Sequence, residues 1–234
     1  MPYAKKTKIT KSKPFPRYGS YHYKRPLPQA PTEVKFLDQT KSATLVVATN
    51  TGAELDPATT NCLNAVPQGD DQSSRDGRKY QIRAIHVNGV FYRQNRNGQA
   101  EVGDANYVTV ALVQDTQTNG AQCQSEEVFT SPGVAALPFL NLTNSKRFRV
   151  LYRATIVVPP GPASYDGTDL ETGGSAVPFS IHKQCNIIVN CTGTSGNITD
   201  ISDNSLHLMA FADVSTANSS GIEMKYNARI RFTG

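Results

Sequence analysis

The chain has 234 residues, with 24 Lys or Arg against 19 Asp or Glu, a net charge of +5, four cysteines and no tryptophan. Its longest apolar runs, ATLVVA and ATIVVPP, fall far short of a bilayer-spanning helix, so no membrane insertion is expected. Charges stand where the apolar core of an export signal would lie, and Cys62, Cys123, Cys185 and Cys191 show no CxxC spacing, so reduced thiols are expected.

The charge is unevenly placed. Residues 1 to 32 hold eight basic residues and no acid, which leaves 16 − 19 = −3 for residues 33 to 234. A block of like charge cannot bury itself, so residues 1–31 read as a disordered interaction arm and residues 32–234 as the folded body. The arm has two halves. Lys5, Lys6, Lys8, Lys11 and Lys13 alternate with Thr, Ser and Ile; then Arg17, Lys24 and Arg25 are interleaved with Tyr18, Tyr21 and Tyr23. Pro14, Pro16, Pro26, Pro28 and Pro31 rule out a continuous helix there and favour an extended chain. Cations that meet phosphates release condensed counterions, and tyrosines offer stacking surfaces for unpaired bases. This composition points to a single-stranded nucleic acid as partner. The plainer alternative is an arm that only solubilises or directs nuclear import, through KKTK and YKR.

The body reads as β almost throughout. Strands are expected at 42–49, 79–93, 107–115, 147–158, 177–183, 185–191, 206–214 and 223–232, and no helix of three turns is convincing. Asn88-Gly89 within the second segment signals a hairpin or a bulge. In 147–158 the alternation puts Phe148, Val150, Tyr152, Ala154 and Ile156 on one face and Arg147, Arg149 and Arg153 on the other. In 223–232 Met224, Tyr226, Ala228, Ile230 and Phe232 alternate with Lys225, Asn227, Arg229 and Arg231. Lys225, Arg229 and Arg231 thus share one face, which is either a solvated sheet surface or a second nucleic-acid contact. About eight antiparallel strands with long loops at 116–145 and 159–176 predict an all-β, single eight-stranded jelly roll built as a two-sheet sandwich.

Catalytic patterns are lacking. Asp70-Asp71 and Glu126-Glu127 are adjacent pairs whose side chains diverge, and no Gly-x-Ser-x-Gly elbow, Walker loop or dinucleotide fingerprint occurs. His182 with Cys185 and Cys191 lacks a fourth ligand and the close pairing of a metal site. No enzyme, cofactor or catalytic residue is expected.

Four stretches carry a family resemblance: VPQGDDQSSRDGRKYQIRAIHVNG (66–89), VTVALVQDTQTNG (108–120), NLTNSKRFRVLYRATI (141–156) and LHLMAFAD followed by MKYNARIRFTG (206–234). Together and in this order they resemble capsid proteins of circular, replication-protein-encoding single-stranded DNA viruses, the circovirus-like group. They are also similar to the coat protein of satellite tobacco necrosis virus, whose genome is RNA. The arm departs from the circovirus pattern in being short and Lys-rich. The resemblance implies a T = 1 shell of about sixty copies with the arm inside, a virion location and host nuclear entry during assembly. About sixty arms would bring roughly 480 positive charges to the interior, a packaging-sized quantity. It also allows calcium between subunits, with no ligands nominated, and leaves the host attachment receptor open. The competing expectation is a monomeric β-sandwich that binds nucleic acid or carbohydrate.

Overall fold

The computed structural model describes residues 33–45, 62–93, 106–130, 138–159, 176–212 and 222–234. Ten strands run through them: β1 (Lys35–Leu45), β2 (Lys79–Arg93), β3 (Asn106–Asp115), β4 (Phe129–Thr130), β5 (Phe139–Leu140), β6 (Phe148–Val158), β7 (Val177–Cys191), β8 (Ile201–Asp203), β9 (Ser205–Ala212) and β10 (Ile222–Thr233). The one α-helix among them, α1 (Ser125–Val128), is a single turn.

The strands form two main antiparallel sheets, one ordered β1-β10-β2-β7-β8 and the other β6-β3-β9, with β4-β5 as a small ribbon. The free side of β9 is met by an isolated bridge, Cys62 to His207, and by a hydrogen bond from Leu63 N to the Leu206 carbonyl at 2.8 Å. The first strand therefore pairs with the last, and β2 separates β10 from β7, which is the crossed connectivity of a jelly roll.

The main core lies between the sheets. Alternate residues of β10 (Met224, Tyr226, Ala228, Ile230, Phe232) and of β2 (Tyr80, Ile82, Ile85, Val87, Phe91) meet Val108, Val110, Leu112, Leu206 and Leu208 from the other sheet. A second apolar cluster covers the opposite face of β6-β3-β9. There Ala111, Val113, Met209 and Phe211 are roofed by Cys123, Val128 and Phe129, with Phe129 edge-on to Phe211 at 5.1 Å. Every residue of β9 is buried, because that strand is packed on both faces.

Three strand expectations change. The strand expected at 42–49 begins at Lys35, while residues 46–49 lie outside the described residues. The segments 177–183 and 185–191 are one strand, β7. Asn88-Gly89 is neither turn nor bulge, since the register of β2 with β10 and β7 runs through it unbroken. Gly89 is required there by close approach: an added Cβ would stand 2.7 Å from the Lys225 carbonyl oxygen and would also strike the Phe179 ring. The register breaks instead around Arg83, between Ile82 and Ala84.

A further break falls in β6, where Leu112 pairs with Tyr152 and Val113 with Val150. The bulged Leu151 reverses the alternation, so Phe148 and Val150 pack in the second cluster while Tyr152 and Ile156 face the main core. The single arginine stripe expected from parity is thereby divided. Arg147 pairs with Asp115, Arg153 lies over the Phe129 ring at 5.6 Å, and Arg149 is exposed.

Candidate nucleic-acid interface

The arm candidates Lys5, Lys6, Lys8, Lys11, Lys13, Arg17, Tyr18, Tyr21, Tyr23, Lys24 and Arg25 lie outside the described residues. Lys225, Arg229 and Arg231 are described, and the alternation of β10 sets them on the outer face of the five-stranded sheet, opposite the core. The register gives that face a grid. One row across β1, β10, β2 and β7 is Phe36, Arg231, Ala84 and Gln184; the next is Asp38, Arg229, His86 and His182; then come Thr40, Asn227, Asn88 and Ser180, followed by Ser42, Lys225, Val90 and Pro178. Tyr92 opposes Glu223 at the far end.

The three cations are not equivalent. Arg229 grips Asp38 as a fork, Nε to Oδ1 at 2.7 Å and an NH2 to Oδ2 at 2.6 Å, and its plane lies 5.0 Å from the Phe36 ring centroid. That fork holds the Asp38 carboxyl below its ordinary value. Lys225 reaches Glu223 at 3.3 Å and sits 5.3 Å from the Tyr92 ring centroid. Arg231 has no ion pair among the described residues. The Arg83 bulge adds a fourth cation, within 3.4 Å of Asn186. Four cations against Asp38 and Glu223 leave this face with a surplus of positive charge, on a body whose residues 33–234 sum to −3.

Two further features were not anticipated from sequence. His86 and His182 stack across β2 and β7 with centroids 4.0 Å apart. Partial burial, then His182, then Arg231 and Arg229 hold the His86 imidazole below its ordinary pKa, which favours its neutral form. The second feature is an open groove of about 700 Å³ over the neighbouring rows, lined by Asn88, Val90, Tyr92, Phe179, Lys225 and Asn227 among others. Parity alone could have placed His86, Asn88, Val90 and Tyr92 on one face of β2. Nothing in the sequence reveals which strands lie beside it.

His182 projects outward, whereas Cys185 and Cys191 of the same strand pack against the core, with Cys185 Sγ 3.9 Å from the Ile82 carbonyl. Opposite faces of one strand do not converge on an ion. All four cysteines are free thiols, and burial pushes the Cys62 thiol up to about 12.

No family model and no curated protein matches the chain. Among solved structures, the capsid of Penaeus stylirostris densovirus is similar at a TM-score of 0.35 and 7% identity, over 92% of this chain and 88% of that one. A TM-score of that size does not establish a shared fold, so the architecture rests on the strand order and register themselves.

Proposed function

We propose that this chain is a viral capsid protein that assembles into a small icosahedral shell and packages a single-stranded genome, circular DNA being the first expectation, through residues 1–31. The observation that carries this reading is the charge division: eight cations without one acid over residues 1 to 32, ahead of a body of −3. A jelly-roll body suits the role, because long loops and sheet edges supply the repeated weak contacts of a shell. The exposed apolar side chains of Phe139 and Leu142, 82% and 79% accessible, suit contacts between subunits. Association of many cationic arms without a polyanion would be opposed by their mutual repulsion, so assembly and packaging are coupled.

The test is deletion of residues 1 to 25. The truncated chain should keep the circular dichroism and melting of the intact body while its particles lose nucleic acid. Truncated particles carrying the normal load of genome would sink the arm reading. Persistence as a monomer under assembly conditions would sink the shell and favour a β-sandwich binding module. A reporter fused to residues 1–32 that stays cytoplasmic would remove the nuclear-import role.

A further inference from the structure

The row formed by Thr40, Asn227, Asn88 and Ser180 crosses four strands, and its hydrogen bonds converge from both ends on the two central amides. The Thr40 hydroxyl donates to Asn227 Oδ1 at 2.7 Å, and the Ser180 hydroxyl donates to Asn88 Oδ1 at 2.7 Å. Each side-chain amide thus has its oxygen engaged, and neither Nδ2 meets a partner among the described residues. Asn227 and Asn88 are paired directly, which brings their β-carbons to within about 5 Å. The centre of the row therefore presents amide N–H donors side by side, and the Lys225 ammonium extends them in the next row.

Beside the donors the groove is apolar. Its floor and wall are Val90, Pro178 and the Tyr92 ring, while the Phe179 ring lies on the opposite face, in the core. A ligand for this site carries acceptors without donors at one end and a flat apolar surface at the other. Phosphodiester oxygens beside a nucleobase meet that description. Saccharide hydroxyls match it less well, because each also brings a donor, and each amide oxygen of the row already accepts one hydrogen bond.

We infer that this groove seats one nucleotide of a single-stranded nucleic acid, its phosphate or base carbonyls on the Asn227 and Asn88 amides and Lys225, its base against Tyr92 and Val90. The inference rests on the packaging reading but concerns the body rather than the arm. The test uses the full chain and a short oligonucleotide carrying 5-iodouracil, irradiated and mapped by peptide mass spectrometry. An adduct at Tyr92 is expected, reduced about tenfold or more in the Asn88→Asp, Asn227→Asp double variant, whose carboxylates replace donors with charge-repelling acceptors. Should that variant lose its fold, Lys225→Glu, at a side chain 57% exposed, gives the same readout.

Adducts at Tyr18, Tyr21 or Tyr23 without one at Tyr92 would overturn the groove and leave the arm standing. An adduct at Tyr92 alone would overturn the arm and leave the groove standing, and none at either would overturn both. A Tyr92 adduct undiminished in the variants, or one abolished by a neutral oligosaccharide, would also overturn the nucleotide assignment.

Discussion

Arg147 holds Asp115 through two hydrogen bonds, Nε to Oδ1 at 2.9 Å and an NH2 to Oδ2 at 2.8 Å, and Asp115 is fully buried. The guanidinium also reaches Glu127 at 3.2 Å, so it ties the end of β3 and the start of β6 to the helical turn between them. Its charged form is favoured first by the hydrogen bonding to Asp115. Removing it strands a carboxylate out of water, so Arg147→Ala should lower unfolding free energy by about 3–5 kcal/mol. Urea denaturation measures this. Adding Asp115→Asn to the same chain should recover part of the loss, and no recovery would show that the charge is not the cause. The Asp38–Arg229 fork has similar geometry, but both side chains are about half exposed, so breaking it should change stability little.

Acid should destabilise the fold through His207. This imidazole is fully buried on β9, with Nε2 2.7 Å from Ser205 Oγ, which also accepts a hydrogen bond from the Thr118 hydroxyl. Burial, opposed by the Asp115 charge and aided by that of Arg147, lowers its pKa to about 4. The unfolded chain takes up the proton near the ordinary value of about 6.5, before the native state does. Stability is therefore fully present above that value and declines as pH falls toward about 4, by about 3 kcal/mol for this group. Melts recorded across this interval should show the decline, and His207→Gln should flatten it. An unchanged slope in the variant would assign the acid sensitivity to other groups.

Arg75 is a buried cation held by carbonyls. Its guanidinium donates to the Val66 carbonyl at 3.1 Å and to those of Gly77 and Gly193, pinning the 66–77 segment to the end of β7. Arg75→Met would leave these acceptors unpaired, each costing about 1–3 kcal/mol. Arg75→Lys should rescue little, because one ammonium cannot span three acceptors arranged around a planar fork. Rescue by Lys to wild-type melting would show that charge alone suffices.

Gly89→Ala tests why glycine interrupts a strand. The Lys225 carbonyl belongs to the paired backbone and cannot yield, so the substitution should cost about 1–3 kcal/mol. Shrinking the ring by Phe179→Leu in the same chain should relieve only part of that loss. Full relief would place the whole conflict on the ring.

Sequence patterning makes some of this fold legible and leaves the rest hidden, for identifiable reasons. β10 alternates cleanly because one face meets the core and the other is solvated, so its buried and exposed residues follow directly from parity. The first half of β1 escapes the same reading. It is an edge strand with Asp38 and Thr40 on its outer face, and Lys35 is buried only because Asp76 pairs with it. The Asn88-Gly89 pair carries a strong local turn signal that is overruled by packing 90 residues away in sequence, at Phe179. The bulge at Leu151 leaves no mark in the sequence, yet it redirects every later side chain of β6. The outer-face grid joins residues as distant as Thr40 and Asn227, separated by 187 positions, so only the register assembles it.

The roof that Phe129, Val128 and Cys123 place over β3 and β9 makes these strands the middle layer of three. Their amides are shielded on both sides, and opening them requires parting two apolar interfaces at once. In heavy water their protons should be the last to exchange, long after those of β1 at the rim of the larger sheet. The timing of isotope uptake would thus trace the layering from the outside inward.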